Sequence, residues 1–267
     1  MRVYFKNKSF VIGLICIAFV FSLSFIGLFY LPFDPNQIDI TAKLQGVSAT
    51  HLLGCDNLGR DILSRLMVGS RISISLGFLS VVLSFLIGTP LGAIAGYKGG
   101  RSDEVLMKLI DTLMSFPGIL LALMLVAVLG PSFTSMLIAL TLMGLPRFAR
   151  VVRGGFLSNR NKTYVLSSKA RGASTGRIIW NHILPHLSID ILNTASITFA
   201  TSVMSEAGLS YLGLGIQPPN PSFGQMLSGA QSYILIAPHY ILSPALLLIL
   251  LVLGFNLIGD GLREIQQ

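Results

Sequence analysis

Two histidines are the most suggestive candidates for metal chemistry in this sequence. His182 and His186 stand four residues apart, a spacing that can place two metal ligands on one helix face. Pro185 interrupts that turn, and no third ligand is nearby in the sequence. The sequence also has no phosphate-binding P-loop, no His-Glu-x-x-His zinc motif and no Gly-x-Ser-x-Gly nucleophile motif. We therefore predict that this chain is not an enzyme and has no catalytic residue, metal site or bound cofactor.

Charged side chains in or near apolar sequence are the next candidates. Asp56, Arg60 and Asp61 are close enough to form a local charge network, which we expect to support the structure rather than bind a substrate. Asp190 and Glu206 are the acids most deeply placed in apolar sequence. They are separated by about 24 Å along a helix and cannot pair with each other. Ionisable residues inside a membrane are candidates for function, and the alternative is that both acids reach an interface.

The composition indicates that these candidate residues lie in a membrane protein. Hydrophobic residues make up 52% of the 267 residues and charged residues 11%. Soluble domains contain about 25% charged residues, so this chain cannot cover an ordinary water-facing surface. The composition therefore predicts an integral membrane protein and excludes a disordered chain, a collagen-like repeat and a disulfide-rich secreted scaffold.

Six apolar segments are long enough to cross a bilayer, which takes about 20 mostly apolar residues per helix. They are residues 9–31, 72–97, 105–129, 133–149, 187–208 and 241–258. All are too long for ordinary strands and leave no room for a soluble core. The predicted fold is an all-α polytopic membrane bundle of about six helices. We divide it into residues 1–71, with the N-terminal tip, first helix and an outer segment, and a five-helix core at 72–267.

The basic residues predict which side of the membrane each segment faces. Arg2, Lys6 and Lys8 precede the first span, so the positive-inside rule places the N-terminus, and after six spans the C-terminus, in the cytoplasm. The loop after the fourth span has eight basic residues and no acidic one, and is also cytoplasmic. The eight are Arg147, Arg150, Arg153, Arg160, Lys162, Lys169, Arg171 and Arg177. We therefore assign the net charge of +8 to topology and to anionic membrane lipid, not to nucleic acid.

Glycine and proline positions predict how the spans pack. Gly88, Gly92, Gly96 and Gly100 recur every four residues, which places small residues on one helix face where another backbone can approach closely. Five prolines lie in or at the ends of spans, and we expect most of them to be ordinary kinks. They are Pro90, Pro117, Pro146, Pro185 and Pro244.

The segment 163–185 lies in the basic cytoplasmic loop, which we take to cover about 147–185. Gly172 can end a helix by taking a left-handed conformation, so we predict a short helix, a turn and a second helix leading into the fifth span. A short helix that projects from a bundle can dock its apolar residues into a groove of a partner. The alternative is a helix on the membrane surface.

This segment resembles the EAA loop of bacterial ABC-importer permeases. Gly172 and the later Leu184-Pro185 match the pattern of that loop, whereas Leu166, Ser167 and Ser168 replace its Glu-Ala-Ala and His182 replaces its usual Ile. The resemblance implies that one run of residues couples the permease to an ATPase. The run is Tyr164, Val165, Leu166, Ser167, Ser168, Lys169, Ala170, Arg171, Gly172, Ala173 and Ser174.

Three further stretches resemble the dipeptide, oligopeptide and nickel permeases, in particular their C-type subunit. Residues 53–65 are similar to a Leu-Gly-Thr-Asp-x-x-Gly-Arg-Asp-x-x-Ser-Arg pattern, with Cys55 in place of Thr. Residues 210–219 and 255–263 are also similar to that family. Four matches in the same order are more specific than one motif, and they place Asp56, Arg60 and Asp61 in a structural loop.

The resemblance implies a type I ABC-importer permease fold in the bacterial cytoplasmic membrane. A second, related permease would form a heterodimer with this chain, two cytoplasmic ATPase subunits would use ATP and Mg²⁺, and an extracytoplasmic binding protein would deliver the solute. The mechanism would be alternating access by rigid-body movement.

The resemblance leaves the solute open between short peptides and nickel, free or chelated. His51, Cys55 and His239 lie in outer segments, but scattered residues of these types do not by themselves make a nickel site. The alternative function is a secondary transporter or channel subunit that works without ATP. That alternative predicts inverted repeats and charged sites at the middle of the membrane, and no clear internal repeat is visible.

Overall fold

The computed structural model describes residues 7–264, and this part of the chain is almost entirely helical. Its ten α-helices are α1 (Lys8–Phe29), α2 (Ile62–Lys98), α3 (Gly100–Ser115), α4 (Gly118–Leu129), α5 (Phe133–Asn159), α6 (Thr163–Ala170), α7 (Thr175–Ile178), α8 (Ser188–Tyr211), α9 (Phe223–Ala230) and α10 (Pro238–Glu264). A π-helical turn (Ile179–Ile183) and a 3-10 turn (Leu184–Leu187) join α7 to α8. Between residues 7 and 264 the β-type pairing is limited to one bridge, Cys55 to Asp61. The predicted all-α fold is confirmed.

Five helical segments are long and apolar enough to cross a membrane: α1, α2, α5, α10 and the continuous run Thr175–Tyr211 that contains α8. The bent pair α3–α4 raises this number to six when it is taken as one crossing. The chain is thus a multi-pass membrane protein with the expected number of spans. Arg2 and Lys6, used above to orient the first span, lie outside the described residues.

Several helices begin at polar side chains that satisfy free backbone N–H groups. Asp61 accepts a hydrogen bond from the backbone N–H of Ser64 at the start of α2, and Ser132 accepts one from Ser135 at the start of α5. Ser222 does the same for α9. Such caps contribute about 1 kcal/mol each, and here they fix where an apolar helix enters the bundle.

The glycine face of α2 packs directly on α5. A Cβ atom on Gly88 or Gly96 would lie 2.7 Å from a backbone carbonyl oxygen of α5, and one on Gly92 would approach another carbonyl still more closely. The predicted helix contact is therefore confirmed for these three residues. Gly100 does not take part: it begins α3 with a φ of +58°, and a Cβ there would meet nothing within 4 Å.

The third predicted span is broken rather than kinked. α3 and α4 meet at 83°, across Phe116 and Pro117. Proline disfavours the helical conformation of the preceding residue, and Phe116 is accordingly extended, with φ −89° and ψ 135°. The two halves also differ in character, because α3 is amphipathic and carries charged residues whereas α4 is apolar throughout. Pro117 therefore ends one helix and precedes another within the predicted span 105–129, and is not the ordinary kink expected of most of the prolines.

The fourth span extends ten residues beyond its predicted end at residue 149. The expectation that Arg147, Arg150 and Arg153 lie in a loop is wrong, because all three lie in α5. Aspartates of α3 accept hydrogen bonds from two of them: Arg150 Nη2 lies 2.6 Å from Asp111 Oδ1, and Arg153 Nη2 lies 2.7 Å from Asp103 Oδ2. These ion pairs connect α3 to the part of α5 that extends past the apolar sequence.

The second span begins before the apolar run that predicted it. α2 starts at Ile62, ten residues before residue 72, so the boundary placed between residues 71 and 72 lies inside this helix. The added turns include Arg65, which is 2% exposed and would not be expected in a span from its residue type alone.

Candidate functional site

The segment 163–185 forms the expected helix, turn and helix. α6 ends in a hydrogen-bonded turn, in which Gly172 donates to the Lys169 carbonyl at 2.9 Å and Ala173 donates to the Ser168 carbonyl at 3.1 Å. Gly172 has a φ of +77°, the left-handed conformation that residues other than glycine rarely adopt. Ser174 then caps α7. Gly172 thus sets the angle between the two short helices.

One side of this segment is anchored in the bundle and the other is exposed. Val165 and Ile178 are buried with Phe156 and Ile183 in an apolar cluster under the segment, and Ser168 also points inward. Tyr164 and Ala173 are half-buried. The remaining members of the predicted coupling run are exposed, namely Leu166, Ser167, Lys169, Ala170, Arg171, Gly172 and Ser174. The exposed set forms a continuous surface around the turn.

The half-buried Tyr164 ties α6 to both of its neighbours. Its hydroxyl donates to Asn159 Oδ1 at 3.0 Å, and its ring lies 5.1 Å from the ring of His186. Burial raises the pKa of the Tyr164 hydroxyl above its usual value. Pro185, one residue before His186, lies in the 3-10 turn that leads into α8. Within residues 7–264, no group of three His, Cys, Asp or Glu side chains is placed to hold a metal ion.

The outer segment contains a buried charge cluster centred on Asp56. This fully buried carboxylate accepts from Arg60 Nε at 2.7 Å and from the backbone N–H groups of Leu58 and Arg60 at 2.8 and 2.9 Å. Arg65 Nε lies 3.6 Å from the same carboxylate. Arg65 also donates to the Pro35 carbonyl and to Gln225 Oε1, so it joins the outer segment to α9.

Asp61 has a different role from the other two members of the predicted network. It caps α2 through the backbone N–H and hydroxyl of Ser64, both at 2.8 Å, and its other oxygen lies 3.0 Å from His51 Nδ1. The neighbouring Cys55 is buried, and burial together with nearby carboxylates raises its thiol pKa to about 11. A thiol with this pKa stays protonated at neutral pH, whereas metal binding needs the thiolate.

Replacing Asp56 with alanine is expected to destabilise the protein by about 3 kcal/mol, because the buried Arg65 would lose its nearest carboxylate. The same variant leaves two backbone N–H groups without their acceptor. Thermal unfolding of the purified protein in detergent measures the effect. The matched control is Glu104→Gln, which removes an exposed ion pair with Lys108 and should cost ~0.5 kcal/mol or less. Equal losses in the two variants would contradict the structural role of the cluster.

Glu206 differs from Asp190, although both are acids in the fifth span. Asp190 lies exposed in the first turn of α8, as expected for a residue at an interface. Glu206 is completely buried, and its two oxygens accept from the hydroxyls of Ser73 and Ser210, both at 2.7 Å. Ser210 Oγ also accepts from the backbone N–H of Ile216. Glu206 thus joins α2, α8 and the segment that leads to α9.

A cavity with a volume of about 450 Å³ opens beside the break between α3 and α4. Apolar side chains of α3, α4 and α5 form most of its lining. Thr198, Thr201, Ser202 and Ser205 of α8 contribute hydroxyl groups, and α5 contributes Arg147. The spacing of these four residues, which places them on one helix face, is a signal that the sequence already contained.

Two family models together match most of the chain. A model described as "Binding-protein-dependent transport system inner membrane component" matches residues 88–267. Another, described as the "N-terminal TM domain of oligopeptide transport permease C", matches residues 1–46.

Two individual permeases are similar to this chain over most of its length. The "Glutathione transport system permease protein GsiD" of Pectobacterium atrosepticum is 42% identical over 244 residues, which cover 91% of this chain and 81% of that protein. The "Dipeptide transport system permease protein DppC" of Alkalihalophilus pseudofirmus is 40% identical over 259 residues, which cover 97% of this chain and 85% of that protein. Among solved structures, an inward-facing MetNI methionine ABC transporter gives a TM-score of 0.61 at 22% identity, with 74% of this chain and 95% of that chain covered. This last likeness concerns the fold.

Proposed function

The chain belongs to the family of binding-protein-dependent transport system inner membrane components, and we propose that it carries short peptides across the membrane as one half of a two-permease pathway. It is the permease subunit of an ABC importer, a family that works with ATPase and substrate-binding partners. Permease subunits are not themselves enzymes. The family match therefore favours this function over a secondary transporter or a channel subunit.

We propose short peptides as the solute because the two similar permeases are named for dipeptide and glutathione transport. Glutathione is itself a short peptide with free carboxylates, so both names indicate the same chemical class. The cavity beside α8 supports this choice, because its volume lies within the ~300–1,000 Å³ typical of small-molecule sites. Neither permease is named for nickel, the other solute that the sequence left open.

We propose that the ATPase docks on the exposed side of α6 and the following turn. The apolar residue Leu166, 50% exposed, lies there beside the cationic Lys169 and Arg171. Val165 packs the opposite side of α6 into the buried apolar cluster, so a partner docked on α6 would be connected to the helix bundle. ATP and Mg²⁺ would be used by two such ATPase subunits, and this chain would bind neither.

The proposed orientation places the α6–α7 end of the bundle and both chain termini in the cytoplasm. The connection from α5 to α6 and the two short helices contain five basic residues and no acidic one. They are Arg160, Lys162, Lys169, Arg171 and Arg177. By the positive-inside rule such a segment remains cytoplasmic. The outer segment and α9 would then face the extracytoplasmic binding protein.

We expect liposomes containing the complete importer, with the loaded binding protein outside and ATP inside, to take up alanyl-alanine. Replacing ATP by a non-hydrolysable analogue should abolish uptake, because alternating access is driven by the ATPase cycle. Uptake driven by a proton or sodium gradient and insensitive to ATP would contradict the proposed function. Uptake of nickel but not of the peptide would contradict the proposed solute alone.

A further inference from the structure

We propose that Arg147 and hydroxyl groups of α8 form a subsite that binds a carboxylate of the transported solute. This inference rests on the proposed function, since it assigns a chemical group of the solute to a place in the pathway. The subsite lies in the cavity beside the α3–α4 break. Its components come from α5 and α8, which both line that cavity.

Arg147 lacks the acidic partner that the neighbouring arginines of α5 have. Arg150 and Arg153, on the next turns of the same helix, are neutralised by Asp111 and Asp103. Arg147 forms no ion pair with any residue from 7 to 264, and its described hydrogen bond runs from Nη1 to Thr201 Oγ1 at 3.1 Å. A guanidinium has five N–H donors in a planar fork that fits a carboxylate. Arg147 is exposed, and its remaining donors can therefore reach an anion from outside the chain.

One buried hydroxyl group on the α8 wall of the cavity is also not satisfied within the described residues. Serine and threonine hydroxyls in a helix can bond to a carbonyl of the preceding turn, as Thr194 does to Asp190 at 2.7 Å. Thr198 is 1% exposed, yet its Oγ1 has no hydrogen-bond partner in the described residues. The hydroxyls of Ser202 and Ser205 form no described bond either. Buried polar groups are nearly always paired, so the Thr198 hydroxyl lacks an acceptor that a bound carboxylate would supply.

The rest of the cavity strengthens this preference for an anion. Most of the lining is apolar, and charge interactions are stronger in such surroundings than in water. Gly118 and Ile119, the first two residues of α4, also line the cavity. The first turn of a helix contributes a partial positive charge, which has the same sign as Arg147. A neutral or cationic group would gain little at this place.

The first test measures the charge preference of the cavity without any transported solute. Ser205→Cys, in a Cys16→Ser background, introduces a thiol into the wall of the cavity in the assembled importer. We expect anionic sulfonatoethyl methanethiosulfonate to react about tenfold faster than the cationic trimethylammonioethyl reagent, after correction for their rates with free cysteine. Adding Arg147→Gln should remove this preference. The charge-matched control Arg150→Gln should retain it, since Arg150 is already paired.

The second test uses uptake by the complete importer in liposomes. Arg147→Gln should lower the maximal rate for alanyl-alanine about tenfold, the typical worth of a charged hydrogen bond. Uptake of alanyl-alanine amide should fall by less than about twofold, because the amide lacks the carboxylate. Arg147→Lys should retain part of the activity, and Arg150→Gln should preserve the difference between the two solutes.

Two results would overturn the subsite. One is equal reaction of the anionic and cationic reagents, or a preference that Arg147→Gln leaves unchanged. The other is an equal loss of uptake for the acid and the amide, which would make Arg147 a structural residue. If the unmodified importer carries neither peptide, the proposed solute is wrong, and the reagent rates still decide whether the cavity binds anions.

Discussion

Gly172→Val is expected to lower ATP-driven uptake about tenfold while the protein still inserts into the membrane. The glycine holds a φ of +77°, and an L-residue in that region costs about 1–2 kcal/mol, more for a β-branched side chain. The turn between α6 and α7 would relax to another geometry and carry the exposed residues of α6 away from their present positions. Uptake, ATPase activity and the amount of bound ATPase, all measured in the same liposomes, would report this change.

Gly176→Val is the matched control for this substitution. Gly176 lies in α7, four residues further along the same segment, and a Cβ there would likewise meet nothing within 4 Å. Its backbone is helical, and valine has a higher helix propensity than glycine, so the substitution introduces no backbone strain. The control should therefore transport normally. Normal uptake and normal ATPase stimulation in the Gly172 variant would refute the assignment of this segment to coupling.

Gly92→Ala is expected to destabilise the protein by about 3 kcal/mol, although it adds a single methyl group. The new Cβ would collide with the backbone carbonyl of Ala149 in α5, and a backbone cannot move aside as a flexible side chain can. The two helices would have to separate along their whole contact. The fraction of protein that remains folded and monodisperse after heating in detergent measures the loss.

The control for Gly92→Ala is Gly154→Ala, which is expected to stabilise the protein instead of destabilising it. Gly154 lies in α5, where a Cβ would meet nothing within 4 Å, and its backbone is helical. Gly154→Ala should therefore stabilise the protein by about 0.5–1 kcal/mol through helix propensity alone. A similar loss in both variants would show that general effects of alanine, not the contact between α2 and α5, determine stability.

Local chemistry explains which parts of this architecture could be predicted. The lengths of the apolar runs predict the spans, because a bilayer requires a minimum helix length. Gly172 predicts the turn between α6 and α7, because a left-handed residue acts on its own neighbours. The glycine spacing in α2 predicts a close helix contact, but not that α5 would be its partner. These features depend on residues within a few positions of each other.

Features that depend on distant residues could not be predicted in the same way. Glu206 is buried because Ser73, 133 positions earlier in the chain, supplies a hydroxyl. Arg150 and Arg153 form ion pairs with Asp111 and Asp103, which lie in another helix, α3. The cavity is lined both by the break at Pro117 and by a row of hydroxyl groups on α8. In each case the deciding partner comes from another helix.

The short connection between α5 and α6 has a consequence for the proposed coupling to the ATPase. Three residues separate the end of α5 from the start of α6, and α5 continues without interruption past the cavity. The ion pairs of Arg150 and Arg153 attach α3 to the same helix. In the proposed coupling, a force applied to α6 would act through this short connection on α5, which carries one wall of the cavity. A change in the tilt of α5 would then move that wall of the cavity relative to α8.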